Sequence, residues 1–233
     1  MKPVVTYQFI ILVILSLTQY SCSTCSSSKS FSDSEKTLTE DTNRVMMDAV
    51  LSEKLQQNCS VWFNSWERGL KTDSFALVSS YTSPLSTDWE EFDISGKDFS
   101  DYRDKIYYSP NSSYALDLYS YNLILNKKGA EIHAELDVDI QIYVIDIAHH
   151  QRYPILFLGP SSSIDDGCWL SDSTVVLVGW EMCLDCPEDA YRPVVRKVNV
   201  FTGETVEYQY NAAFPHYNMG FLKQKFPKII FDD

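Results

Sequence analysis

Ala130-Glu131-Ile132-His133-Ala134-Glu135-Leu136-Asp137-Val138-Asp139-Ile140-Gln141-Ile142 is apolar at every even position and polar at every odd one. Successive side chains of a strand point to opposite faces of its sheet, so this period of two predicts one buried face and one wet face. A wet face is the habit of antiparallel sheets. Upstream, Tyr119 to Leu125 reads as a partner strand, and Asn126-Lys127-Lys128-Gly129 as the hairpin turn joining the two. Downstream the phase slips, because Ile145 and Ile147 become the apolar positions; a bulge or bend near Tyr143-Val144 would absorb the slip. The β signal runs from about Phe75 onward, so the fold class is mainly β.

The strand pattern repeats. Tyr108-Ser109-Pro110-Asn111 leads into Tyr114-Ala115-Leu116-Asp117-Leu118, and Tyr143 to Ile147 then turns at Ala148-His149-His150-Gln151 into Pro154-Ile155-Leu156-Phe157. In the second half, Trp169-Leu170-Ser171-Asp172 leads into Val175 to Val178, and Val195 to Val200 turns at Thr202-Gly203-Glu204 into Val206 to Tyr210. The period, about 60 residues, lies in the range of repeat architectures. These halves resemble blades of a β-propeller. Two blades cannot close a propeller. The expectation is antiparallel sheets from two blade-like repeats, packed against one N-terminal helix.

That helix is expected over about 40–57. Thr39-Glu40-Asp41-Thr42 offers capping oxygens and early acidic residues, and Val45, Met46, Ala49 and Val50 recur at helical spacing as one apolar face. Trp62, Phe63 and Trp66 are expected to fill the space between helix and sheet. Residues 36–233 are read as a single domain.

Ahead of it the chain changes character. Lys2 supplies a positive charge, Val4 to Leu17 is mostly apolar around Phe9-Ile10-Ile11-Leu12-Val13-Ile14-Leu15, and small or polar residues lead to Cys22. This is the order of a secretory leader, expected over 1–21, and the run is shorter than the ~20 apolar residues of a membrane span. Residues 22–35 are Ser-rich and read as a flexible tether. The leader, Cys22 and Ser23-Thr24-Cys25-Ser26-Ser27-Ser28-Lys29-Ser30 resemble the start of bacterial lipoproteins, and the folded part resembles envelope lipoproteins with blade-like repeats. The resemblance implies that Cys22 is acylated. Gln19 and Tyr20 stand where that family usually has Leu and a small residue before the Cys. It further implies a domain held at a bacterial cell envelope, facing the periplasm or the cell surface, with the membrane as its partner through the lipid.

Composition narrows the partners. Thirty-two acidic residues against 19 basic ones give a formal charge of -13, which repels phosphate backbones and excludes a nucleic-acid role. Export would make disulfides plausible. Cys183-Leu184-Asp185-Cys186 can close on itself, Cys59 with Cys168 is a second pairing, and Cys25 is left over. Two sharper readings of Cys183 and Cys186 stay open. Zinc needs four ligands, and no second Cys pair exists. Thioredoxin-like chemistry needs its first Cys at a helix N-terminus, and Pro193 would break such a helix soon after Pro187. A disulfide stapling a loop between strands is the simpler reading.

Other chemistry is thin. Glu131, His133 and Glu135 share one strand face and could grip a divalent ion, although a wet face of charged residues also carries such a pattern; Asp137 and Asp139 extend it without the glycine of a calcium loop. Ser161-Ser162-Ser163 and Asp165-Asp166 read as a polar loop after Gly159-Pro160, with no nucleophile elbow and no phosphate-cradling glycine loop. His149-His150 falls in a turn, and Asn58-Cys59-Ser60 and Asn111-Ser112-Ser113 fit the N-glycosylation pattern. No catalytic residue, metal or cofactor is assigned. The sequence points to a lipid-anchored envelope protein acting as a binding or structural module for a protein or small molecule. The alternatives are an exported enzyme, using a redox dithiol at Cys183/Cys186 or a metal at His133, and a soluble secreted protein without an anchor.

Overall fold

A computed structural model describes residues 45–85, 89–186, 189–216 and 220–232. The leader over 1–21, Cys22, Cys25, the tether over 22–35 and the capping residues at 39–42 lie outside them. Two helices come first, α1 (Ala49–Asn58) and α2 (Ser60–Ser65). Twelve strands follow: β1 (Phe75–Thr82), β2 (Glu90–Glu91), β3 (Tyr107–Tyr108), β4 (Tyr114–Asp117), β5 (Leu123–Lys128), β6 (Glu131–Leu136), β7 (Ile140–Asp146), β8 (Gln151–Leu158), β9 (Ser162–Ser171), β10 (Thr174–Met182), β11 (Tyr191–Asn199) and β12 (Glu204–Tyr210). Helix α3 (Gly220–Lys225) and strand β13 (Ile229–Phe231) close the described chain.

The fold is mainly β, as the alternation predicts. One sheet has the order β2-β8-β7-β4-β3 and another the order β1-β12-β11-β10-β9, both antiparallel throughout. The two orders are the same: four strands lie side by side in chain order, with the β5–β6 hairpin inserted between β4 and β7 in the first sheet, and a strand from earlier in the chain pairs with the last of them. The repeat seen in the sequence is therefore a repeat of strand order. A third, three-stranded sheet holds the β5–β6 hairpin with β13, and β13 pairs parallel to β6.

Several boundaries differ from expectation. The alternating stretch 130–142 is two strands in two sheets. Its apolar positions stay inward through Ala134, but the chain breaks at 137–139, where the Asp137 amide donates to the Asn122 carbonyl and Val138 is 69% exposed. Alternation cannot distinguish one long strand from two short ones laid end to end. The hairpin reverses at Gly129-Ala130, with Lys128 facing Glu131, because Gly129 supplies the positive φ (69°) that a two-residue turn needs. Residues 119–122 are a turn. The Asp117 carboxylate takes the Tyr119 and Ser120 amides and delays β5 to Leu123. The expected register slip is present between Ile142 and Tyr143, and the extra residue, Ile155, is on β8.

The N-terminal helical part is two helices, and the apolar face lies elsewhere than expected. Val45, Met46, Ala49 and Val50 are exposed, whereas Met47, Leu51, Leu55 and Cys59 are buried. Asp48 caps α1 through a 2.8 Å bond from the Leu51 amide, so the helix starts at Ala49, and residues 45–46 run beside β1 instead. Trp62, Phe63 and Trp66 are buried as expected. Trp62 meets the other two edge-on, and Phe63 and Trp66 reach Phe75 and Phe214. Among the described residues no helix is long and apolar enough to cross a membrane.

Candidate ligand site

Strand β9 carries the polar heart of the molecule. Val178 faces Asp166 and Gly179 faces Ile164, so Asp165 is the extra residue of a bulge against β10. A β-carbon at position 179 would collide with the Ser163 backbone, so only glycine lets β10 come this close. Bulges re-aim side chains. Here Asp165 is only 3% exposed, with Oδ2 accepting the Trp62 indole N–H at 2.8 Å and Oδ1 accepting the Ser163 hydroxyl at 3.2 Å. The Tyr119 hydroxyl donates to the Asp165 carbonyl at 2.8 Å.

Asp166, 1% exposed, accepts from the Tyr107 hydroxyl at 2.7 Å, from the Gly167 amide at 2.8 Å and from the Lys225 ammonium of α3. Burial, and then the Asp166 charge, push the Tyr107 and Tyr119 phenols well above their usual range. Both are therefore hydrogen-bond donors at neutral pH. This network ties α2, α3, β3 and β9 together, and every charge in it is paired or hydrogen-bonded, as burial demands.

A cavity of about 290 Å3 opens beside Asp165. Its walls come from the β6–β7 link at Asp137 and Val138, from Ile140, from Trp180 and from Leu222 of α3. Tyr119 and Asn122 also line it, and the Asn122 side-chain oxygen is buried without a hydrogen-bond partner. Such a group costs about 1–3 kcal/mol when left unmet. Among the described lining residues two are carboxylates, Asp137 and Asp165, and none is Lys, Arg or His. The arrangement is mostly apolar with fixed acceptors, which suits holding a small molecule.

This site was not legible as such. Asp165 and Asp166 were expected in a polar loop, yet they lie buried in a strand, because Trp62, Tyr107 and Lys225 come to them from over forty residues away. One signal was present. Gly179 interrupts the apolar run Val175-Val176-Leu177-Val178, and a lone glycine in a strand marks a bulge or a close approach.

The other residues singled out earlier are scattered. Cys183 and Cys186 are joined at disulfide distance, with Cα atoms 5.5 Å apart, in the connection between β10 and β11. Asp185 and Arg192 flank the Cys183 sulfur at 3.1 and 3.2 Å. Only residues 187–190 separate Cys186 from β11, too few for the helix that thioredoxin-like chemistry uses. The same three side chains, Cys183, Asp185 and Cys186, are close enough to be ligands of one ion, but both sulfurs are consumed by the disulfide.

Cys59 and Cys168 are not bonded to each other. They are buried free thiols, and the neighbouring Cys168, followed by burial, pushes the Cys59 thiol up. His133 does not join Glu135. Its Nδ1 lies 2.7 Å from Asp232, which β13 brings alongside, and its Nε2 lies 3.6 Å from Glu131. His149 sits in the β7–β8 turn on Asp146 at 2.8 Å, and Asn58 and Asn111 are exposed. Neither a family model, nor a curated protein, nor a solved structure matches the chain.

Proposed function

We propose that this is a lipid-anchored protein of a bacterial cell envelope that acts as a small-molecule binding module. The observation that carries the binding reading is the cavity of about 290 Å3 beside a buried carboxylate fixed by two hydrogen bonds. Fixed acceptors in an apolar wall need no reorganisation when a ligand arrives, which is how modest pockets bind well. No catalytic residue, metal or cofactor is part of the proposal. The anchor rests on the order of residues 1–30: a basic start, an apolar run, Cys22 and a serine tether. Acyl chains at ~0.8 kcal/mol per buried CH2 hold a protein at a membrane durably when two or more are present. The two sheets of like strand order support the resemblance to propeller blades.

The anchor is tested by Cys22→Ala. The variant is expected to leave the membrane fraction for the soluble one, and mass spectrometry of the native N-terminus is expected to find an acylated Cys22. Unchanged partitioning, with an unmodified N-terminus, would remove the anchor and favour the secreted form. The exported-enzyme alternative has less support, since only four residues separate the disulfide at Cys183 and Cys186 from β11 and His133 is engaged by Asp232.

A further inference from the structure

We infer that the cavity beside Asp165 takes an organic cation, a primary ammonium group carried on an apolar ring or short chain; this rests on the binding reading above and names its ligand class. Three observations converge on it. First, the described lining offers the Asp165 and Asp137 carboxylates and no basic side chain. An anionic ligand would meet like charge there, whereas an ammonium meets opposite charge, most strongly beside the buried Asp165 side chain. Second, the wall holds a buried acceptor, the Asn122 side-chain oxygen, that has no hydrogen-bond partner. An ammonium brings three donors and no acceptor, so it can meet that oxygen and a carboxylate together.

Third, the rest of the lining fits an apolar body. Leu136, Ile140, Ile164 and Leu222 line the cavity, with the aromatic side chains of Trp180 and Tyr119 beside them. The volume of about 290 Å3 limits the guest to roughly one ring or a short chain. The chain's formal charge of -13 enriches cations around the molecule before they enter. Asp165 is held from below by Trp62 and Ser163, so its carboxylate keeps its place whether or not the cavity is filled.

The test is calorimetric titration of the full chain at pH 7 with three probes of one shape: phenethylammonium, 2-phenylethanol and 3-phenylpropionate. The ammonium is expected to bind at least about tenfold tighter than the alcohol, a difference easily resolved, with no binding of the carboxylate. Asp165→Asn is expected to bring the ammonium down to the level of the alcohol while the alcohol is unaffected. Val138→Trp, at a position 69% exposed on the rim, is expected to block every probe without touching the core. Should Asp165→Asn fail to fold, Asp137→Asn on the exposed rim serves in its place, with the ammonium weakened and the alcohol unchanged. Equal binding of ammonium and alcohol, or any preference for the carboxylate, overturns the cation assignment but leaves the cavity as a binding site. Binding of none of the three overturns the site itself, and with it the binding reading.

Discussion

Asp165 is buried and placed by a single glycine across the ladder. Replacing Gly179 with Ala puts a methyl group against the Ser163 carbonyl, and backbone cannot step aside as a flexible side chain can. The expected outcome is a loss of about 1–3 kcal/mol in urea denaturation. Ala at Gly179 is also expected to weaken any ligand of the cavity, because the bulge that aims Asp165 must flatten or shift. A second residue-scale case is Asp232. Hydrogen bonds from His133 and then Lys128 hold its carboxyl below the usual aspartate value. A depressed carboxyl adds stability above its unfolded pKa of about 3.9, and that contribution is lost as pH falls through the lower folded value. The urea midpoint of Asp232→Asn is therefore expected to lie below that of the unaltered protein at pH 6, and the gap to close as pH falls below about 4 and through the lower folded value. A gap that persists at the lowest pH would mean that Asp232 acts by packing alone.

At the level of elements, α1 shows how two helical stripes can compete. Val45, Met46, Ala49 and Val50 have helical spacing, and so do Met47, Leu51, Leu55 and Cys59. Periodicity alone does not choose between them. Asp48 does, because capping at that residue leaves Val45 and Met46 outside the helix, beside β1. Leu55→Ala is accordingly expected to cost about 2–5 kcal/mol, the range for emptying a fully buried aliphatic position. Val50→Ala, at a position 64% exposed, is expected to stay within about 0.5 kcal/mol. Comparable losses from both would restore the original face. The strands were easier to read. The pairs around Gly203 and His149-His150 fell where the turns predict, since a turn is a local matter of a few residues. The cavity was not readable, because Asn122, Asp137, Asp165, Trp180 and Leu222 come from five separate stretches of chain and meet only through tertiary pairing.

At the scale of the whole molecule, the two five-stranded sheets share one strand order and are joined by hydrogen bonds between their side chains and backbones. Tyr107 reaches Asp166, the Trp169 indole donates to the Tyr107 carbonyl at 2.7 Å, and the Tyr153 hydroxyl reaches the Val200 carbonyl at 2.9 Å. Mainly β architecture and the internal repeat were both legible, since each depends on patterns within tens of residues. What joins the halves was not, because those bonds span 47 to 62 positions of sequence. The outer strand of the second sheet has the longest reach of all. β1 pairs with β12 from Phe75–Tyr210 to Thr82–Glu204. A ribosome releasing this polypeptide therefore frees β1 long before its mate exists, and that strand must wait, edge bare, until Tyr210 has been made. If the chain is exported as proposed, threading it through a translocon before this late closure would find the second sheet still unfinished, with none of its outer ladder to unravel first.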